Sequence, residues 1–304
     1  VSYTPSTPFS NGQVINVDLD ASDNAGNAMA TYSWSFTIDT GAPVASNPKP
    51  PNSSYTNDST STIIVALSDA LSGVDSSTIQ MTVEGLTVSH TWNGTHVSYT
   101  PSSPFSNGQV IDITLDASDD VGNAMTTYTW SFTIDTSPPV ASNPKPADSS
   151  YTNDNTPTII ISLTDALSEV DASTIVLKVN GGTITHTWNG THVSYTPSTP
   201  FSNGQVINVD LDASDNAGNV MATYSWSFTI DTAAPQASNE KPANSGYTND
   251  ATPTIIVQLS DAISGIDSST IKLGVEGSVV THTWNGTHVY YTPATPFSNG
   301  QIIN

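Results

Sequence analysis

The sequence predicts an all-β protein built of tandem β-sandwiches, with about seven strands in each 96-residue repeat. Three observations support this prediction. The segment that begins at Val1 recurs at Val97, Val193 and Val289, so the repeat is 96 residues long. Apolar and polar residues alternate along most of each repeat with a period of two, which is typical of strands. No segment longer than a turn has helical periodicity.

The first half of the repeat at 137–232 contains three predicted strands. A short edge strand is expected at 140–143, because the prolines that follow it suit an edge position. Alternating apolar residues predict the next two strands at 158–164 and 174–180. The segment between them, 165–173, is too polar for a strand and predicts a loop with one helical turn.

The second half of the repeat opens with a predicted hairpin. Asn189 and Gly190 separate two alternating arms, which favours a two-residue type I′ turn. That turn would place Trp188 opposite Thr191. An apolar strand at 205–212 and an aromatic one around 224–230 follow, which completes about seven strands and indicates two packed sheets.

Proline-bearing linkers separate the repeats. Each linker reads Asp-Thr-x-x-Pro and ends at Pro43, Pro139 or Pro235. The predicted domains are the C-terminal part of a repeat at 1–40, complete repeats at 41–136 and 137–232, and the N-terminal part of a repeat at 233–304. Short linkers with proline limit bending, so we expect a stiff or semi-stiff string of domains. The end pieces predict either a window on a longer chain or strands exchanged between chains.

The composition excludes several function classes. The chain has 27 acidic residues, 5 lysines and no arginine, and its net charge of −22 repels nucleic acids and anionic membranes. It has no cysteine and therefore no disulfides. No apolar run is long enough for a membrane span. No nucleophile, base and acid have a catalytic spacing, so we expect no enzymatic activity.

Acidic loop residues are the candidate calcium ligands, because Ca²⁺ prefers several oxygen ligands from carboxylates and carbonyls. Loops at the end of one sandwich meet those of its neighbour, so a linker carboxylate could complete a shared site. The alternative is that these side chains stabilise turns through their own hydrogen bonds. The candidate ligands are Asp116, Asp119, Asp120, Asn123, Asp135, Asp154, Asp165 and Asp171.

Three Asn-Gly-Thr tripeptides match the pattern of N-glycosylation acceptors. The acceptor side chains would be those of Asn93, Asn189 and Asn285. The alternative is that the predicted hairpin turn itself requires Asn-Gly and that threonine suits the following strand. Either interpretation places the asparagine at a hairpin tip.

Several motifs together resemble the tandem immunoglobulin-like domains of bacterial and archaeal surface proteins. They are the Asp-Asp-Val-Gly-Asn loop at 119–123, the Phe-Thr-Ile-Asp-Thr strand end at 132–136 and the prolines Pro138 and Pro139. The resemblance covers the whole chain. It implies an immunoglobulin-like fold, an extracellular or cell-surface location and, in some members, calcium between domains.

The resemblance also implies a class of function, since such domains are typically segments of giant adhesins, surface-layer proteins and stalks. The leading hypothesis is a structural filament, sheath or stalk whose partners are neighbouring copies of itself, because the repeats are nearly identical. One alternative is the repeat region of an adhesin that binds another cell, a host or a carbohydrate. Another is the spacer of a larger secreted enzyme.

Overall fold

The computed structural model describes residues 1–304 and consists of strands, loops and two short 3-10 helices. The N-terminal piece, 1–40, contains one antiparallel pair, β1 (Val14–Leu19) and β2 (Tyr32–Thr37). The structure contains no helix with the length and hydrophobicity that a transmembrane segment requires.

The repeat at 41–136 has two sheets, in agreement with the predicted sandwich. Its strands are β3 (Val44–Lys49), β4 (Ser54–Thr56), β5 (Ile63–Ser68), β6 (Val74–Val83), β7 (Leu86–Thr87), β8 (Thr91–Trp92), β9 (His96–Tyr99), β10 (Val110–Asp119) and β11 (Tyr128–Ile134). The four-stranded sheet has the order β3-β5-β9-β8, and the five-stranded sheet has the order β4-β11-β10-β6-β7.

The repeat at 137–232 has the same arrangement. Its strands are β12 (Val140–Lys145), β13 (Ser150–Thr152), β14 (Ile159–Thr164), β15 (Val176–Val179), β16 (Gly182–Ile184), β17 (Thr187–Trp188), β18 (His192–Tyr195), β19 (Val206–Asp212) and β20 (Tyr224–Ile230). The sheet orders are β12-β14-β18-β17 and β13-β20-β19-β15-β16. A 3-10 helix, Ala172–Thr174, precedes β15 and forms the expected helical turn.

The C-terminal piece, 233–304, contains a four-stranded sheet and a separate hairpin. Its elements are β21 (Gln236–Lys241), β22 (Ile255–Ser260), a 3-10 helix (Ser268–Thr270), β23 (Leu273–Val275), β24 (Ser278–Val280), β25 (Thr283–Trp284) and β26 (His288–Tyr291). The four-stranded sheet has the order β21-β22-β26-β25, and β23 pairs with β24.

The alternating pattern identifies the core of each sandwich. In β14, Ile159, Ile161 and Leu163 are fully buried, while the residues between them face outwards. Trp226 and Phe228 in β20 are buried on the opposite sheet. Burial of large aliphatic and aromatic side chains stabilises the sandwich by about 1.5–3 kcal/mol for each residue.

Each complete repeat has nine strands rather than the predicted seven. Several of them are too short to show alternation in the sequence. One is β13, which has three residues and pairs in parallel with β20. Another is β16, also three residues long, which extends the same sheet beside β15. The two-sheet fold is therefore confirmed with additional edge strands.

The hairpin forms at the predicted place, but its predicted register is wrong. Trp188 pairs with Val193 rather than with Thr191. A type I′ turn needs a positive φ at both central residues, and only Gly190 has one, at +93°. The carboxamide oxygen of Asn189 instead accepts hydrogen bonds from the amides two and three residues later, which holds a wider turn.

The chain separates into two compact units. The first contains residues 1–140 and the loops 164–171 and 214–221; the second contains 141–163, 172–213 and 222–304. All strand pairs join residues of the same predicted repeat. The loops 164–171 and 214–221 both carry acidic residues, and they lie in the same unit as the linker residue Asp135.

Candidate metal centre

Two clusters of three aspartates occupy equivalent positions in consecutive repeats. Within each cluster, one carboxylate oxygen of each residue lies within 4.8 Å of the other two. Each aspartate of the second cluster lies 96 residues after its counterpart in the first. The first consists of Asp39, Asp69 and Asp119, and the second of Asp135, Asp165 and Asp215.

Strand ends position the second cluster. Asp135 directly follows the last residue of β11 and begins the linker. Asp165 directly follows β14, and Asp215 lies in the loop between β19 and β20. Asp135 and Asp215 are buried, and Asp165 is half-buried. All three lie in the first compact unit.

Backbone amides hold the carboxylates of Asp135 and Asp165. The Ser168 amide donates to Oδ2 of Asp135 at 3.1 Å and to Oδ1 of Asp165 at 2.9 Å. Asp165 Oδ1 also accepts from the Leu167 and Glu169 amides, each at 3.0 Å. The loop after β14 is thus folded around one carboxylate and attached to the other.

Asp215 organises its own loop in the same way. Its Oδ1 accepts from the amides of Ala217 at 3.0 Å and Asn219 at 2.8 Å. Its Oδ2 accepts from the Asn219 side chain at 2.7 Å. The same Asn219 amide group donates to the backbone carbonyl of Asp135 at 2.8 Å, so the linker is held from two directions.

A buried serine hydroxyl accompanies each cluster. Ser168 is 3% exposed, and its Oγ has no hydrogen-bond partner. Its backbone amide already contacts two carboxylates of the cluster. The Ser72 hydroxyl, at the equivalent position, is also buried and lies beside the carboxylates of Asp39 and Asp119. A buried hydroxyl without a partner is destabilising by about 1–3 kcal/mol, so an additional ligand at this point would remove that cost.

Nearby polar groups favour the ionised form of Asp39 and Asp119 in the first cluster. The Ser72 side chain, followed by the Gly41 amide, lowers the pKa of Asp39. Burial alone would raise the pKa of Asp119, but hydrogen bonds from Asn123 and Val121 outweigh it and lower this pKa. The Ser72 hydroxyl lowers the pKa of both carboxylates.

Three of the predicted ligands belong to the clusters, namely Asp119, Asp135 and Asp165. Asn123 is adjacent, but its side-chain amide donates to Asp119 Oδ2 at 2.6 Å and therefore positions a carboxylate. Asp116, Asp120, Asp154 and Asp171 lie outside the clusters. The serine hydroxyls were missed, because nothing in the local sequence distinguishes them from other loop serines.

The outlying aspartates have local partners. Asp154 accepts from the Thr156 amide at 2.8 Å and stabilises a turn, as the alternative interpretation expects. Asp116 accepts from the Thr127 hydroxyl at 2.6 Å on the outer face of the five-stranded sheet. Asp120 is exposed, and its backbone amide donates to the Gly73 carbonyl. The backbone amide of Asp171 donates to a carbonyl of the neighbouring loop.

Asp212 is the counterpart of Asp116 in the next repeat, and its environment should make the stability of that repeat depend on pH. The Thr223 hydroxyl, and after it Lys178 at 3.3 Å, lower the pKa of Asp212 against the opposing effect of burial. A lowered folded-state pKa adds stability above the unfolded pKa of about 3.9, and this stability is lost as pH falls through the folded value. We expect the Asp212 contribution, below about 1 kcal/mol for a partly exposed pair, to begin to decrease at about pH 4 and to be lost below the folded-state pKa.

Urea unfolding across pH of the native chain and of Asp212→Asn would measure this contribution. The variant should be less stable at neutral pH, and the difference should vanish in acid. A difference that stays constant down to acid pH would contradict the assignment of the effect to Asp212.

The three predicted glycosylation asparagines lie at exposed hairpin tips. In each, the side-chain oxygen accepts from the backbone amide of the threonine two residues later, at 3.0 Å. The side-chain nitrogen, which would carry a glycan, donates to Tyr290 Oη at 2.9 Å in Asn285. Glycosylation of Asn93, Asn189 and Asn285 stays a prediction.

The clusters have the chemistry of a site for a hard cation. Each offers three carboxylates and a serine hydroxyl, and none contains histidine or cysteine. Oxygens on opposite sides of Ca²⁺, each at about 2.4 Å, are about 4.8 Å apart, so the spacing in the clusters is compatible with ligands of one ion. Zinc prefers nitrogen and sulfur ligands, which are absent from these clusters.

Comparison with known proteins identifies the domain type. Residues 135–230 match the model of the family described as bacterial Ig-like domain. No curated protein matches the chain. The matched segment has almost the bounds of the repeat at 137–232.

Solved structures from several classes of protein align with this chain. The fibronectin(III)-like modules of Clostridium thermocellum CbhA align with 12% identity and a TM-score of 0.38, over 62% of this chain and 94% of theirs. A three-domain immunoglobulin segment of titin aligns with 10% identity and a TM-score of 0.40, over 85% and 89%. A 1.5-MDa bacterial ice-binding adhesin aligns with 21% identity and a TM-score of 0.29, over 73% and 75%.

Identities this low bear on the fold alone, and the TM-scores are low, so the assignment rests on the family match. The 96-residue period places nearly the same sequence on both sides of the matched segment. The two complete repeats also have the same strand orders. The chain is therefore a tandem array of Ig-like repeats, of which residues 135–230 match the bacterial Ig-like domain family.

Proposed function

We propose that this chain is a section of a non-enzymatic extracellular filament, sheath or stalk, in which tandem repeats supply length and stiffness and neighbouring copies are the partners. The observation that carries the proposal is the linker contact, which recurs three times. In each case, the amide of a serine in the following loop donates to the linker aspartate at 2.9–3.1 Å. The pairs are Asp39 with Ser72, Asp135 with Ser168, and Asp231 with Ser264.

These contacts support a stiff array for a physical reason. A flexible linker would leave the polar groups of its aspartate in water. Here the Asp135 carboxylate accepts from Ser168, and its carbonyl accepts from Asn219. Similarly, the Asp39 carbonyl accepts from Asn123 at 3.2 Å. Rotation of the linker would break several of these bonds together, so bending at the linker is costly.

We also propose that calcium occupies the aspartate clusters. The buried Ser168 hydroxyl lies beside three carboxylates and has no hydrogen-bond partner within the chain, so its oxygen is available to coordinate an ion. Three like charges in close proximity destabilise one another, and a divalent cation would reverse that interaction. Calcium bound there would further restrict the linker that carries Asp135.

Location on native cells tests the structural proposal. Antibodies raised against residues 41–232 should label intact, unpermeabilised cells, with gold particles in continuous rows along a surface filament or sheath. An antibody to a cytoplasmic protein provides the control and should label only permeabilised cells. Labelling that requires permeabilisation would contradict an extracellular location, and isolated surface particles without rows would contradict a filament.

A further inference from the structure

A shallow groove crosses the outer face of the four-stranded sheet in both complete repeats. In 137–232 its volume is about 670 Å³, and its floor includes Ile160 and Ser194. The rim consists of Asn143, Lys145, Asn189 and His192. The groove in 41–136, of about 490 Å³, has the corresponding rim Asn47, Lys49, Asn93 and His96.

The rim combines a lysine, a histidine and two asparagines, and some of their polar groups have no partner within the chain. The chain has 5 lysines and 27 acidic residues. Lys178 forms an ion pair with Asp212, but Lys145 forms none. The Nδ1 of His192 lies 2.8 Å from the Thr191 hydroxyl, which leaves Nε2 free. An unpaired ammonium group and free polar groups at one rim favour an anionic, polar ligand.

The position of the groove argues against a peptide strand as its occupant. The floor is formed by β14 and β18, which are the two interior strands of the sheet order β12-β14-β18-β17. Their backbone groups already pair on both sides, so a peptide cannot add to the sheet there. Recognition must use side chains, and the polar groups of this groove suit a ligand rich in hydroxyl groups.

In the C-terminal piece, 233–304, the corresponding groove is filled by side chains of that piece. Gln258 stands where the previous repeat has Ser162, and Tyr290 stands where it has Ser194. The Asn239 side chain donates to Gln258 Oε1 at 2.6 Å. The Asn285 side chain donates to Tyr290 Oη at 2.9 Å. The side-chain nitrogens of both rim asparagines are therefore occupied in this copy by residues that fill the groove.

We propose that the grooves of 41–136 and 137–232 bind a carboxylate-bearing saccharide, such as the uronic acid unit of a polysaccharide. The ligand carboxylate pairs with Lys49 or Lys145, and its hydroxyl groups bond to the rim amides and histidine. The net charge of −22 repels polyanions at long range. At physiological ionic strength that repulsion is screened within about 8 Å, so the local lysine decides the interaction.

Affinity electrophoresis of the 304-residue chain in gels containing polyglucuronate tests the proposal, with a neutral glucan and polyglutamate as parallel gels. Polyglucuronate should retard the chain, and the other two polymers should not. The double variant Lys49→Gln/Lys145→Gln should weaken binding by a factor of about two to five, as expected for an exposed ion pair. A second variant fills both open grooves as in the C-terminal piece, with Ala66→Gln, Ser98→Tyr, Ser162→Gln and Ser194→Tyr, and it should abolish the retardation.

Lys178→Gln is the matched control, because it removes a lysine on the other sheet. This control should bind like the native chain. Equal loss in Lys178→Gln and in a single Lys145→Gln variant would mean non-specific charge and overturn the proposal. Unchanged retardation of the groove-filled variant would exclude the groove as the site. Retardation by polyglutamate as strong as that by polyglucuronate would overturn the saccharide as the ligand class.

Discussion

Replacing Phe228 with alanine should destabilise the repeat at 137–232 by about 3–5 kcal/mol. Phe228 is 1% exposed and lies in β20, which pairs with both β13 and β19. Removal of the ring leaves a cavity between the two sheets, since neighbouring strands relax only partly. A domain of this size is stable by about 5–15 kcal/mol, so the variant repeat should unfold well below the others.

Differential scanning calorimetry of the 304-residue chain would measure this effect. The variant should show a separate transition at lower temperature, while the transition of 41–136 stays in place. Val206→Ala is the control, because Val206 lies on the adjacent strand β19 and is 52% exposed. A single transition that moves as a whole would show that the repeats do not unfold independently and would contradict the predicted domains.

Asp215→Asn should change the response of the chain to calcium. Asparagine keeps an oxygen that can accept from the Ala217 and Asn219 amides, but it removes one of three adjacent negative charges. Without calcium, the decrease in charge repulsion is opposed by the loss of the hydrogen bond that Asp215 Oδ2 accepts from the Asn219 side chain, so the variant should be close to the native chain in stability. With millimolar calcium, the native chain should gain several degrees in its thermal midpoint, and the variant should gain clearly less.

Asp154→Asn is the matched control for the calcium experiment. Asp154 also caps a turn through a backbone amide, but it lies outside both clusters. Its response to calcium should equal that of the native chain. A native melting curve that is identical in calcium and in chelator would remove the calcium proposal and leave the filament proposal intact. An equal calcium gain in Asp215→Asn and the native chain would place the ion elsewhere.

The strands that form the core were predictable, because burial imposes a period of two. Ile159, Ile161 and Leu163 alternate with polar residues in the sequence and are fully buried in β14. The hairpin register was not predictable from Asn-Gly alone. The dipeptide marks a turn, but the side chain of Asn189 selects which turn forms by accepting two backbone amides.

The candidate metal centre was partly predictable. Linker and loop carboxylates such as Asp135 and Asp165 were expected to meet, because loops gather at the ends of a sandwich. The sequence could not separate them from Asp154, which has the same residue type in a similar turn. That distinction depends on which loops face each other in space, and the role of the Ser168 hydroxyl depends on the same packing.

The grooves were not predictable, since their rims combine residues from distant segments. Lys145 is on β12, and His192 follows a hairpin tip almost 50 residues later. The two residues come together through the sheet order, which places β12 beside β14 and β14 beside β18.

The linker contacts have a consequence for a chain that is pulled from both ends. In many strings of domains, the connecting segments straighten first and absorb the early extension. Here Asp135 is tied through its carboxylate to Ser168 and through its carbonyl to Asn219. Extension of this segment must break both attachments, so tension would pass from one sandwich to the next with little slack.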